Sequence, residues 1–197
     1  MIEVVIATKN DKKLQELKRY LKSVKAHIVS LKDIPRAPRI REDKNTFKGN
    51  AIKKAVTISR FTGGVVLADD SGLCVDALRG RPGVKSARFA GSNKKDHDNN
   101  AKLLRLMKAV PAGKRTARFV CAIAVADNGS AVKIVEEYCN GRIADAARGR
   151  YGFGYDPLFL IPKYRKTFGE LGLKVKDKMS HRSKALKKAR KFLRKYI

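Results

Sequence analysis

Three acidic residues in predicted loops, Glu42, Asp69 and Asp70, stand out in a chain that carries 46 Lys and Arg against 18 Asp and Glu. Carboxylate oxygens suit a hard cation such as Mg²⁺, which keeps several waters and takes phosphate oxygens alongside one or two carboxylates. All three are candidate metal ligands. The aspartates also read as a turn whose side chains accept from nearby backbone N–H groups. A second cluster, Thr8-Lys9-Asn10-Asp11-Lys12-Lys13, places Thr and Asn side chains and a lysine at a predicted helix start, where backbone N–H groups can cradle phosphate. It is not a Walker A loop, and an ordinary N-cap explains the same residues. The third cluster is Phe153-Gly154-Tyr155-Asp156, with Lys176, Ser180, His181 and Arg182 further on. Glycines admit a ligand close to the backbone, an aromatic ring can stack on a base, and Asp with Arg can read a purine edge. Taken alone, His181 also reads as a structural or surface histidine, and His181-Arg182 as the solvated start of a basic helix.

The elements that must position these residues alternate. Ile2 to Ala7 is a short buried-strand pattern, and Leu14, Leu17 and Leu21 follow at helical spacing. A second apolar run covers Ala26 to Leu31, and Ile34 to Asn45 reads as a loop. Thr46 opens a helix carrying Phe47, Ala51, Ala55 and Ile58, which Gly63-Gly64 ends. Val65 to Ala68 is a strand, predicted to stop at Asp69-Asp70-Ser71-Gly72, a polar turn where loops of α/β sheets gather ligands. Asn99 to Val110 is a predicted helix. Thr116 to Ala126 and Ala131 to Tyr138 are strands joined through Asp127-Asn128-Gly129, a hairpin signal that makes part of the sheet antiparallel. Gly141 to Pro162 is a glycine-rich connection. Ser180 caps a final helix bearing Ala185, Ala189, Phe192 and Tyr196, with Lys and Arg on the other face.

The 197 residues suit one domain over 1–197, with no internal repeat, low-complexity tract or linker. The longest apolar stretch, Phe119 to Ala126, is too short to span a bilayer, and no basic leader precedes Ile2. A cytoplasmic protein without membrane contact is expected. Cys74, Cys121 and Cys139 are too few and irregularly spaced for a disulfide framework, and read as reduced, buried thiols. The formal net charge of +28 makes polyanions candidate partners, either as substrate or as nucleic acid.

Taken in order, these segments resemble the inosine triphosphate pyrophosphatase family, the non-canonical purine NTP pyrophosphatases. The resemblance rests on Ala7-Thr8-Lys9-Asn10 with Lys13, on Thr46-Phe47 with Asn50-Ala51 and Lys54-Ala55, and on Leu67-Ala68-Asp69-Asp70-Ser71-Gly72-Leu73. It continues through Gly80, Pro82-Gly83 and Ser86-Ala87-Arg88, then Gly152-Phe153-Gly154-Tyr155-Asp156-Pro157, and ends with Lys166-Thr167, Glu170-Leu171, Lys176 and Ser180-His181-Arg182. It implies an elongated, two-lobed α/β fold with a mixed twisted β-sheet and a substrate cleft between the lobes, assembled as a homodimer. It also implies Mg²⁺-dependent hydrolysis of ITP, dITP and XTP to the monophosphate and pyrophosphate.

The same resemblance implies roles for individual residues. Asp70 becomes the general base and a metal ligand and Glu42 a second ligand, while Thr8, Asn10, Lys13, Lys54 and Ser71 hold phosphates and sugar. Phe153, Gly154, Tyr155, Asp156, Lys176, His181 and Arg182 hold and read the base. Donors from Arg182 or His181 would favour a 6-oxo purine over adenine.

Several positions depart from the family pattern. Lys9 and Lys44 stand where many members carry glycine, Gly49 where Glu is usual, Lys85 where Tyr is common, and Ser183 where Gly is common. Gly49 removes a carboxylate from the helix beside the metal site. The reading from a different class is a nucleic-acid-binding protein that uses the basic C-terminal helix. It explains the charge and leaves the Asp69-Asp70 pair and the Phe153 to Asp156 turn without a role. Non-specific binding of nucleic acid at low salt is expected under either reading.

Overall fold

The computed structural model describes residues 2–92 and 95–197. Asn10 caps the first helix as its side chain predicts: its Oδ1 accepts from the Lys13 N–H at 3.1 Å, so α1 (Asp11–Leu21) follows directly on β1 (Glu3–Ile6). β2 (His27–Ser30) runs parallel to β1, in register from Glu3 with His27 to Ile6 with Ser30. α2 (Phe47–Thr62) starts where Thr46 accepts from the Gly49 N–H at 3.0 Å. It ends at Gly63, whose φ of 69° is the left-handed conformation a helix C-terminus uses.

β3 departs from the expected pattern. The strand was predicted to stop at Ala68 with Asp69-Asp70-Ser71-Gly72 as a turn, whereas β3 runs without a break over Val65–Val75. Both aspartates are buried within it. Carboxylates can occupy an interior strand here because cations reach them from distant parts of the chain, a compensation that local sequence does not reveal.

α3 spans Asp96–Met107, and β4 (Thr116–Asp127) is followed by β5 (Ser130–Ile143). Between them Asn128 and Gly129 take φ of 45° and 77°, the backbone of a two-residue hairpin turn. β5 extends five residues beyond the predicted end at Tyr138, because its far end pairs antiparallel with β6 (Phe159–Ile161), which in turn pairs with β7 (Lys166–Thr167). α4 (Phe168–Met179) and α5 (His181–Tyr196) complete the chain. The sheet order is β2-β1-β3-β4-β5-β6-β7. It is mixed, parallel where β1 meets β2 and β3, and antiparallel at β5, β6 and β7.

The chain forms two compact units. One comprises Met1–Asp70, Cys121–Glu137 and Arg182–Ile197, the other Ser71–Val120 and Tyr138–His181. The core of the first packs Ile6, Leu17, Leu21 and Leu67 with Ile123, Val125 and the α5 residues Ala185, Leu186, Ala189 and Leu193. The core of the second is aromatic, built on Phe119, Phe159 and Phe168 with Leu73, Leu103 and Met107. The three cysteines are free thiols; Cys121 and Cys139 are buried and Cys74 is half-buried. Among the described residues no helix is long and apolar enough to cross a membrane.

Candidate active site

In the first unit the two neighbouring aspartates make their shortest contacts with different residues, Lys13 and Asn50. Successive residues of a strand project to opposite faces, and the contacts follow that alternation. Asp69 faces Lys13, whose Nζ lies 3.0 Å from its Oδ2, and Arg182, whose Nε lies 3.7 Å from the same atom. Asp70 faces Asn50, whose Nδ2 donates to its Oδ2 at 3.0 Å, and Lys54, whose Nζ is 3.9 Å from its Oδ1. The Lys54 ammonium also contacts Glu42 Oε1 at 2.5 Å.

The surroundings set the two carboxyls to opposite behaviour. Burial opposes ionisation of Asp69, yet the charges of Lys13, Arg182 and Lys54 outweigh it and hold the group well below the usual carboxylate range. At Asp70 burial prevails. Lys54, Lys13 and the Asn50 hydrogen bond offset it only in part, Glu42 adds like-charge repulsion, and the carboxyl is pushed up to about 6. Burial also opposes the charge on Lys54, but Asp69, Asp70 and Glu42 more than restore it, so the ammonium is held more firmly than usual.

The predicted phosphate residues lie on or beside this cluster. Thr8 Oγ1 accepts from the Asn10 N–H at 3.2 Å, which shapes the turn between β1 and α1, and Lys13 sits in the first turn of α1. Lys54 lies on α2 and Glu42 in the irregular stretch before it, while Ser71 follows Asp70 on β3 and is half-buried. Arg182, expected to read a base, has its guanidinium fixed by Glu16 of α1, with Nη1 to Oε2 at 2.8 Å, as well as facing Asp69.

The second unit holds the remaining predicted residues, and among them Phe153, Asp156 and Lys176 are in contact. Gly152 has φ of 78°, and a Cβ there would stand 2.0 Å from Asp156 Oδ2, so the turn admits only glycine. That oxygen accepts from the Phe153 N–H at 2.8 Å and from Lys176 Nζ at 2.6 Å. The Lys176 ammonium lies 4.9 Å from the centre of the Phe153 ring, a cation–π distance. Gly154 is held at both backbone groups: its N–H donates to Asp96 at 2.8 Å and its carbonyl accepts from Asn100 at 3.0 Å. The Tyr155 hydroxyl donates to the Ser86 carbonyl at 2.8 Å. His181 is buried, with its ring stacked on Phe119 at 4.7 Å and 12°.

Sequence reasoning assigned no individual role to Asn50, Glu16, Asp96, Asn100 or Phe119. Asn50 carried a signal: it is an amide beside Phe47 and Ala51 on the apolar face of its helix, and a buried amide there must find partners. It finds Asp70 and also accepts from the Lys44 N–H at 2.9 Å. Glu16, Asp96 and Asn100 sit on exposed or half-exposed faces where nothing local distinguishes them from solvated polar residues.

Among the described residues no group of three or more His, Cys, Asp or Glu is arranged to hold a metal ion. Glu42 and Asp70 supply two carboxylates around a point where a cationic group, the Lys54 ammonium, already sits. Such a donor set fits a hard cation that takes its remaining ligands from water and phosphate, and would not form a closed protein cage.

The sequence model of the Ham1 family matches residues 4–192. The chain is 50% identical over 192 residues to the dITP/XTP pyrophosphatase of Desulforamulus reducens, covering 98% of this chain and 96% of that one. It is 51% identical over 188 residues to the dITP/XTP pyrophosphatase of Geobacillus kaustophilus, covering 95% and 92%. Its fold is similar to the structure of a HAM1 protein from Coxiella burnetii, with a TM-score of 0.91, 37% identity and 98% of each chain covered. With the family model matched over nearly its whole length and relatives half identical to it, the chain belongs to the Ham1 family.

Proposed function

We propose that this chain hydrolyses non-canonical purine nucleoside triphosphates, ITP, dITP and XTP, to the monophosphate and pyrophosphate, and so removes them from the nucleotide pool. It is a hydrolase of phosphoric anhydrides. The observation that carries the reading is Asp70: a buried carboxyl raised to about 6, beside a lysine and a second carboxylate, has the proton affinity a general base needs near neutral pH. Relatives named dITP/XTP pyrophosphatase that span nearly the whole chain support the same reaction.

In this mechanism the Asp70 carboxylate, oriented by Asn50, takes the proton of the water that attacks the α-phosphorus. Lys13, with Asp69 as its counter-ion, and Lys54 offset negative charge on the phosphates. The reaction depends on alignment and charge and requires no covalent nucleophile. Glu42 and Asp70 would hold Mg²⁺, which when bound supplies charge neutralisation of the triphosphate. Phe153 stacks on the purine. Asp156, Lys176 and His181 with the Gly154-Tyr155 backbone read its edge, so that a 6-oxo group is accepted and the 6-amino group of ATP leaves donors unpaired. Arg182, fixed by Glu16, positions Asp69. The protein works in the cytoplasm as a homodimer, the assembly the resemblance implies. The test is phosphate release from a panel of NTPs with added inorganic pyrophosphatase. ITP, dITP and XTP should be turned over and ATP should be poor; equal turnover of all purine NTPs would remove the base-reading role.

A further inference from the structure

The exposed basic residues of α5 are not scattered. Lys184, Lys187, Lys188, Lys191, Arg194 and Lys195 are all exposed, and their spacing of i, i+3, i+4, i+7, i+10 and i+11 puts them on one face of the helix. The opposite face is spent in the core, where Ala185, Leu186, Ala189 and Leu193 are fully buried. The helix contains no acidic residue. Lys184 and Lys188, Lys187 and Lys191, and Lys191 and Lys195 are like-charge pairs one turn apart, and each such pair opposes the helix. Glu137 of β5 contacts Lys188, while the Tyr196 hydroxyl donates to Asp127 at 2.8 Å. A surface selected only for solubility gains more from mixed charges than from a single-sign ridge.

We propose that this face of α5 is a docking surface for duplex nucleic acid, bound through its phosphates and without regard to sequence. From Lys184 to Lys195 the ridge is about 16 Å long at 1.5 Å per residue, and a duplex of that length presents about ten phosphates over its two strands. A ridge one helix wide matches a line of phosphates better than the plane of a membrane. Its aliphatic residues are buried in the core, and its one exposed aromatic ring, Tyr196, is stacked on Phe192 with its hydroxyl bonded to Asp127, so α5 presents no apolar stripe to insert into lipid. None of these six residues is among those given roles in hydrolysis, and nucleic-acid binding there does not depend on the reaction.

The experiment is fluorescence anisotropy of a labelled duplex DNA with the full-length protein across a range of KCl concentrations. Two variants are compared with the parent: Lys187, Lys188, Lys191 and Lys195 changed together to Gln, and a charge-matched control with Lys108, Lys114, Lys163 and Lys174 changed to Gln. All three are checked for unchanged circular dichroism and ITP turnover. The parent should lose affinity linearly in log K against log salt, equally for unrelated sequences. The α5 variant should lower the magnitude of that slope by about 3 to 4, at about 0.9 for each phosphate no longer neutralised, and the control should leave it close to the parent. Equal effects of the two variants would overturn the proposal in favour of a diffuse field from the whole +28 charge. Binding to vesicles containing phosphatidylserine that depends on the α5 lysines, with no binding to DNA, would overturn it in favour of a membrane surface.

Discussion

The Lys54 ammonium lies 2.5 Å from a Glu42 carboxylate oxygen and 3.9 Å from one of Asp70. One cation thus relieves the repulsion between two acids of which the second is already reluctant to ionise. Lys54→Met removes that relief. The Asp70 carboxyl should rise further, and kcat/KM for ITP at neutral pH should fall by roughly ten- to a hundredfold. Steady-state kinetics decide it; an unchanged rate would show that Lys54 has no part in the charge balance of the site.

The adjacent aspartates should respond to the same substitution with opposite signs. Folded Asp70 keeps its proton up to about pH 6, whereas the unfolded residue releases it near 3.8. Between those values the folded state binds more protons, so stability falls as pH rises through the window and the loss is complete above it. Asp70→Asn should therefore raise stability at neutral pH, by up to about 3 kcal/mol, while abolishing turnover. Asp69 is held below its ordinary value by Lys13, Arg182 and Lys54 against the effect of burial. Its contribution is present above its unfolded value and lost as pH falls. Asp69→Asn should cost about 3 kcal/mol by leaving those cations without their shared counter-ion. Thermal or urea unfolding of both variants tests the contrast, and two changes of the same sign would refute it.

Much of this arrangement was readable in the sequence where the deciding interactions are local. Asn10 and Thr46 cap the helices they precede, Gly63 ends α2, and Asn128-Gly129 turns the hairpin. What could not be read depends on distant residues. Asp69 and Asp70 look like a turn until Lys13, Lys54 and Arg182 are brought in from other elements. α4 was not anticipated because Gly169 and Gly172 weaken its pattern, and Gly172 indeed breaks the helical backbone with φ of 69° and ψ of 178°. The Thr167 and Glu170 capping box was its one local signal. Of the site residues, the Phe153 to Asp156 turn is local and was legible. The binding of Arg182 to Glu16, 166 positions away in sequence, was not.

The pH profile follows from Asp70 alone. Turnover should climb about tenfold per unit at acid pH and level off at or below pH 6, because the base must be ionised: its carboxyl is raised to about 6 without metal, and Mg²⁺ held beside it would lower that value. Asn50 donates to the ionised carboxyl, so Asn50→Ala should shift the rising limb to higher pH. A limb that stayed in place in this variant would separate Asn50 from the tuning of Asp70.

Gly49 and Lys44, two positions at which the resemblance implies a departure, are close in space. A Cβ at Gly49 would lie 3.0 Å from Lys44 Cβ and 3.0 Å from Thr46 Oγ1, so the Lys44 side chain occupies room that a residue at 49 would need. Gly49→Glu alone should be destabilising by about 1 to 3 kcal/mol. Combined with Lys44→Gly it should recover stability and lower the magnesium concentration needed for half-maximal rate. Unfolding midpoints and a magnesium titration of the single and double variants check both parts.

The most direct test is hydrolysis of ITP in water enriched in oxygen-18, with the products separated and weighed by mass spectrometry. Attack on the α-phosphorus predicts IMP carrying one heavy oxygen and unlabelled pyrophosphate. Pyrophosphate carrying the label, or IDP and phosphate as products, would contradict the assigned reaction.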